Sequence, residues 1–308
     1  MSALHQGSLK TRTFSSLGLG DLLEHPVCIY AGAGPDERSA LSVWKERAAH
    51  FPEKCIAVVR ENADEIVVCR SGAEWSVALR DEEGLSALFR NTSGAYVDIS
   101  GLSHHVWAPV VRSALGVCSN VWAIYAEPLG YRVHPSPSSF TVFDLSDGFS
   151  GLSPLPGFAR LGGPEDETQA VFVPFLGFEG MRVKSLAMSL DPIPKTIPVV
   201  GLPGYRVEFP AHAVASNRDF LEEQRALGEI RLARASCPFE AYDTLAEIQR
   251  DFPGRYMYIA PIGTKPQALG AVLYALGHSG SSELMYDHPK RKQNRSRGVG
   301  RVHVYSIK

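Results

Sequence analysis

The chain has 308 residues, room for one large or two medium domains. Hydrophobic residues make up 44% and charged residues 21%, the balance of an ordinary globular protein rather than a disordered one. Lysine and arginine total 31 against 33 acidic residues, a formal charge of -2, which excludes coating of nucleic acid by bulk charge and leaves room only for a local basic patch.

No apolar run reaches the roughly 18 residues that a membrane span needs. The opening stretch MSALHQGSLKTRTFSS lacks the apolar centre of a secretory signal. Five cysteines (Cys28, Cys55, Cys69, Cys118, Cys237) are scattered, without a CxxC pair. Reduced, mostly buried thiols in a cytoplasmic protein that avoids membranes are expected.

In chain order, Val27 to Arg60 predicts a strand, the small-residue turn Ala31-Gly32-Ala33-Gly34-Pro35, a helix from Asp36 to about His50, and a strand from Cys55 to Val59. Ile66–Cys69 and Trp75–Leu79 predict a hairpin around Ser71-Gly72. From Ala95 to Arg132 the syntax tightens. A strand over Tyr96–Ser100 ends in Gly101, a helix spans Ser103–Leu115, Gly116 stops it, and a strand over Val121–Tyr125 closes at Glu127-Pro128. Its length suits a parallel crossover.

Ser136–Glu167, rich in Pro, Gly and Ser, reads as a connector. Ala170 to Arg206 then gives a strand, a turn at Gly177-Phe178-Glu179-Gly180, a helix to Leu190 and a strand over Ile197–Val200. Asn217–Ala235 has the pattern of a long exposed amphipathic helix, with Tyr242–Arg250 as a second helix.

The tight pattern returns near the C-terminus: a strand over Tyr256–Ala260, a turn at Gly263, a helix over Pro266–Leu276 and a strand over Glu283–Tyr286. Tyr-Ala-Glu-Pro ends the first tight unit and Tyr-Asp-His-Pro the second. Val302–Ile307 predicts a closing strand. This loose, tight, loose, tight order predicts an α/β protein of two related Rossmann-like halves with mostly parallel sheets, an internal duplication divided at 1–165 and 166–308.

Ligands of open parallel sheets gather beyond the carboxyl ends of the strands, so those loops carry the candidate residues. Gly263 allows a close turn, Thr264 caps the next helix, and Lys265 brings a cation to a helix N-terminus that already favours an anion. A well-capped turn with a solvated lysine is the alternative. GxxxxGK[ST] spacing is missing, so nucleotide hydrolysis by that route has no support. Gly32-Ala33-Gly34 lacks the third glycine and the later acid of a dinucleotide fingerprint.

The matching loop of the first half offers Asp98, Ser100, Gly101, Ser103 as a helix cap, and His104. His104 and His105 are consecutive and diverge on a helix, so no metal site is expected. Glu127, Asp98 and His288 are the acid–base candidates, Glu127 as acid and His288 as base, with Asp287 and Glu179 as further carboxylates. Before proline, a strand-end carboxylate also serves as a turn former. KRKQNRSRGVGR carries Lys290, Arg291, Lys292, Arg295, Arg297 and Arg301 without an acid; it reads as a glycine-loosened loop, either solvated or meeting phosphates or a nucleic-acid backbone.

The stretch IAPIGTKPQALGAVLYAL resembles the ligand loop of the CRISPR-associated Rossmann fold (CARF) sensors and their tandem SAVED relatives, and the DISG stretch is similar to the partner loop in those folds. This resemblance implies that Gly263, Thr264 and Lys265 grip the phosphates of an oligonucleotide messenger, with Ser100 and Gly101 across a cleft. The resemblance covers two segments of about 37 residues. It departs from the family in carrying both halves in one chain, with no effector domain expected after the last strand.

Three functions follow as expectations. The first is a nucleotide- or phosphate-sensing regulatory subunit of a bacterial antiviral defence or stress assembly, without a cofactor and acting on a separate effector. The second is an enzyme acting on a nucleotide or nucleoside. The third is a structural subunit that contacts nucleic acid or a larger partner through Lys290–Arg301.

Overall fold

The structure, a computed structural model, describes residues 10–39, 41–138, 140–159 and 169–308. The first nine residues, parts of the expected connector and the expected boundary at 165/166 lie outside the described residues. The chain forms two compact units. One holds the residues up to Gly130 together with Gln293–Lys308; the other is Tyr131–Lys292.

The first unit is built on an eight-stranded sheet. Its elements are β1 (Lys10–Phe14), β2 (Val27–Ala31), α1 (Ser42–His50), β3 (Cys55–Glu61), β4 (Glu65–Arg70), β5 (Ala73–Ala78), α2 (Glu82–Ala87), β6 (Gly94–Asp98), α3 (His104–Val117) and β7 (Asn120–Tyr131). The last strand of the chain, Ser296–Ser306, completes it, in the spatial order β1, last strand, β7, β6, β2, β3, β4, β5. The four strands β7, β6, β2 and β3 pair in parallel, and β3–β4–β5 and β1 with the last strand are antiparallel. The parallel strands are buried on both faces, and their apolar runs VCIYA and GAYVD read accordingly.

The second unit contains β8 (Ser146–Phe149), β9 (Ser153–Pro154), β10 (Ala170–Pro174), α4 (Gly180–Ala187), β11 (Lys195–Thr196), β12 (Val199–Gly201), α5 (Phe209–Ser216), α6 (Arg218–Glu223), β13 (Arg231–Ala233), α7 (Pro238–Asp251), β14 (Tyr256–Ala260), α8 (Lys265–Gly277), β15 (Ser282–Tyr286) and β16 (Pro289–Arg291). The closing strand of the first unit is therefore β17. Strands β11, β10, β14 and β15 pair in parallel, with β9 antiparallel at the edge; β12–β13 and β16–β8 form two small sheets. Buried Phe172, Ile259, Leu245, Ile248, Leu269 and Val272 supply core.

Numbered by their own chain order, the parallel strands run 2-1-3-4 in both sheets: β3-β2-β6-β7 in one and β11-β10-β14-β15 in the other. This is an order of doubly wound sheets. Strand order reverses between β2 and β6, and again between β10 and β14, the places where such folds take ligands. Fold class is thus mixed α/β with two parallel-centred sheets.

Several expectations change. The expected division at 1–165 and 166–308 differs from the two units, the first of which takes in Gln293–Lys308, because β17 pairs with β1 from Phe14↔Val302 to Lys10↔Ser306 and Val121 bonds with Ile307 and Lys308. The connector contributes β8 and β9, held by β16 and β15. Asn217–Ala235 is not one helix: α6 stops at Glu223, Arg225 takes a left-handed φ of 53°, and Arg231–Ala233 is drawn into a parallel pair with Val199–Gly201. The segment expected as a glycine-loosened basic loop enters β16 and β17, with Gly298 and Gly300 inside the latter. Instead of closing at Glu127-Pro128, β7 continues to Tyr131. Among the described residues no helix is long and apolar enough to cross a membrane.

Candidate functional site

In the second unit the Gly-Thr-Lys turn lies after β14, beside the reversal of strand order, and opens α8. Thr264 is its N-cap: its hydroxyl oxygen accepts from Gln267 N, while Thr264 N donates to Gln267 Oε1 at 3.2 Å. This is a capping box. The Thr264 hydroxyl also donates to the Ala235 carbonyl at 2.5 Å, and Gln267 Nε2 donates to the Ala233 carbonyl at 3.2 Å, so the turn is tied to the end of β13. A Cβ at Gly263 would lie 2.6 Å from Gln267 Oε1 and 3.1 Å from Phe175 Cβ. Close packing therefore explains the glycine without a ligand. Lys265 is the first helical residue and is only 7% exposed, so it is not the solvated lysine of the alternative reading. A cation is thereby buried at the positive end of the helix dipole, an arrangement that favours an anion close by.

In the first unit the equivalent loop is filled by the protein itself. Trp44 Nε1 donates to Asp98 Oδ2 at 2.6 Å, and Ser100 N donates to Asp98 Oδ1 at 2.8 Å. The Ser100 hydroxyl accepts from Ala126 N at 2.9 Å. A Cβ at Gly101 would meet Ala31 Cβ at 2.6 Å and the Ser39 carbonyl at 2.8 Å. Asp98, Ser100 and Gly101 thus hold strand ends together. Ser103 does not cap α3 with its own side chain; its N and Oγ donate to Glu61, at 3.1 and 2.5 Å. His104 packs against the Trp107 ring at 5.2 Å.

Beside this loop is a polar cluster of which the sequence patterns single out Glu127 and Arg301 but neither Arg38 nor His303. Arg38, 3% exposed, donates to Asp36 Oδ2 (3.1 Å), Ser296 Oγ (3.0 Å), the Tyr125 hydroxyl (3.3 Å) and the Ala126 carbonyl (3.0 Å). Glu127 bonds to His303 Nε2 at 2.7 Å and accepts from Arg301 Nε and Nη2 at 3.2 and 3.3 Å. Burial alone would raise the Glu127 pKa, but the bonds from His303 and Arg301 hold it below the usual carboxylate value. The signal for Glu127 is its place at a strand end; Arg38 and His303 come from distant segments and carry no local signal.

His288 and Glu127 belong to different units. His288 bonds through Nε2 to Ser153, its hydroxyl at 2.9 Å and its carbonyl at 3.0 Å. Asp287 is sealed against Arg182, and Glu179 Oε1 accepts from Ser146 N and Oγ at 3.0 and 2.7 Å. The basic segment is partly neutralised. Lys292 pairs with Asp144 (2.6 Å) and Asp147 (3.4 Å), Arg295 with Asp36 (3.9 Å) and Arg301 with Glu127, whereas Lys290 and Arg297 are exposed and Arg291 is half-buried. Acids distant in sequence neutralise part of what reads locally as an uninterrupted cationic run. No group of three or more His, Cys, Asp or Glu suited to a metal ion occurs among the described residues.

No family model matches this chain, and comparison with curated proteins gives no match either.

Proposed function

We propose that the chain is a regulatory subunit that senses a phosphate-bearing ligand of the nucleotide class, in a bacterial defence or stress assembly. Lys265 is the observation that carries the reading: a nearly buried cation in the first turn of α8, beyond the carboxyl end of β14, where strand order reverses. The helix dipole adds to its attraction for a phosphate. Lys290 and Arg291 on β16 supply further positive charge to the same unit.

The common 2-1-3-4 order supports a duplication in which one copy keeps an anion site. In the other copy Trp44, Ser39 and Ala31 occupy the equivalent loop. Ligand binding regulates a separate effector only through a difference in affinity between two arrangements of this protein.

Titration calorimetry of the full chain with mononucleotides, linear oligonucleotides and cyclic oligonucleotides tests the proposal. At least one should bind, and Lys265→Ala should weaken that binding by about tenfold or more, the worth of one charge-assisted contact. Absence of binding across the set, or equal binding by Lys265→Ala, overturns it.

A further inference from the structure

In the first unit a hydroxyl, an imidazole and a carboxylate are linked in series. β1 and β17 pair with Thr13 directly opposite His303, and Thr13 Oγ1 lies 2.9 Å from His303 Nδ1. The other ring nitrogen, Nε2, lies 2.7 Å from Glu127 Oε1. The last register pair of β7 with β6 is Ile124 with Asp98, so Glu127 stands past the carboxyl end of the neighbouring strand, on the side of a parallel sheet where chemistry gathers.

The polarity of the series follows from the carboxylate. Glu127, held below the usual carboxylate value, can only accept when ionised, so His303 Nε2 carries a proton, and Nδ1, when it carries none, accepts from the Thr13 hydroxyl. His303 is 3% exposed, whereas Thr13 is exposed. The base is shielded and the hydroxyl reachable, and a third group orients the base, as an activated nucleophile requires. Arg301, with its side chain 61% exposed, gives Nε and Nη2 to Glu127.

We propose that Thr13, His303 and Glu127 form a relay that hydrolyses carboxylic esters, with Arg301 favouring esters that carry negative charge. Thr13 Oγ attacks the ester carbonyl carbon as its proton passes to His303 Nδ1. The bond to the leaving alcohol oxygen breaks, and that oxygen takes the proton from His303, leaving an acyl ester on Thr13. A water molecule, losing a proton to His303, then attacks the acyl carbon; the carboxylic acid departs and Thr13 Oγ recovers its proton. Thr13 and His303 are the catalytic residues, and Glu127 is a positioning residue acting through His303. This activity goes beyond ligand sensing in the second unit, and either can fail without the other.

The probe is p-nitrophenyl acetate, applied to the full chain. An early burst of p-nitrophenolate and an acetyl group mapped to Thr13 by mass spectrometry are expected. Thr13→Val should abolish the burst and Thr13→Ser retain it. Glu127→Gln should lower kcat by about 100-fold with KM unchanged, a split that a purely structural role would not produce. An unlabelled Thr13 in the wild-type protein overturns the proposal without recourse to any variant, and so does hydrolysis by folded Thr13→Val at the wild-type rate.

Discussion

Arg182 and Asp287 meet through two parallel hydrogen bonds, with Nε and Nη2 of the guanidinium each 2.7 Å from a carboxylate oxygen. The carboxylate is fully buried and the arginine side chain 15% exposed. Such a fork-to-fork pair fixes direction as well as charge. It ties the N-terminal turn of α4 to the end of β15, and it explains why a carboxylate at a strand end is a structural anchor here.

Removing one partner would leave the other charge buried and unpaired. Arg182→Met or Asp287→Asn should therefore cost about 3–5 kcal/mol, whereas the double variant Arg182→Met/Asp287→Leu should recover part of that loss. Urea denaturation of the three variants checks this. A loss below about 1 kcal/mol in either single variant would show that the pair is dispensable.

Glu127 sets a pH dependence. Its folded pKa lies below the ordinary value of 4.5 because the His303 and Arg301 bonds outweigh burial. A carboxyl depressed in the folded state contributes stability above its unfolded pKa and loses that contribution as pH falls through the folded value. Glu127→Gln should thus melt below wild type at neutral pH and converge with it as pH falls below about 5, which flattens the acid limb of a plot of Tm against pH. Two curves that stay parallel down to acid unfolding would contradict this origin of the shift.

The two glycine corners should respond differently to a methyl group. At Gly101 the new Cβ would strike the Ser39 backbone and Ala31 Cβ, neither of which can swing aside. At Gly263 the nearest atom is the end of the Gln267 side chain, with Phe175 Cβ at 3.1 Å. Gly101→Ala should cost about 2–4 kcal/mol and Gly263→Ala less, through overpacking in both cases. Thermal unfolding of both variants gives the order, and the reverse order would contradict it.

Much of the sheet is legible because its parallel strands are buried on both faces. YMYIA, AVFVP and VCIYA are short apolar runs between glycine- or proline-rich turns, and β14 follows the predicted Tyr256–Ala260 span residue for residue. Segments whose state is decided by a distant partner are not legible. Leu232 sits among charges at a spacing that suits a helix, yet it lies in β13 opposite Val200. The same limit applies to the site. Asp98 and Glu127 announce themselves as strand-end carboxylates, but Trp44 is 54 residues from Asp98 and His303 is 176 from Glu127. No local periodicity encodes those separations.

Adjacent residues of the second-unit turn should separate stability from binding. The Thr264 hydroxyl is committed twice, accepting from Gln267 N and donating to the Ala235 carbonyl. Thr264→Ala should lose about 1–2 kcal/mol, as loss of an N-cap does, while Thr264→Ser keeps most of it. Anion affinity should change little in either variant, because the hydroxyl proton is already spent on Ala235. Lys265→Ala should do the opposite. It leaves the Thr264 cap in place and should bind phosphate ligands more weakly. Melting curves and calorimetry on the same three proteins test this. A Thr264→Ala variant that keeps its stability but loses its ligand would make the threonine hydroxyl, rather than the lysine, the contact that matters.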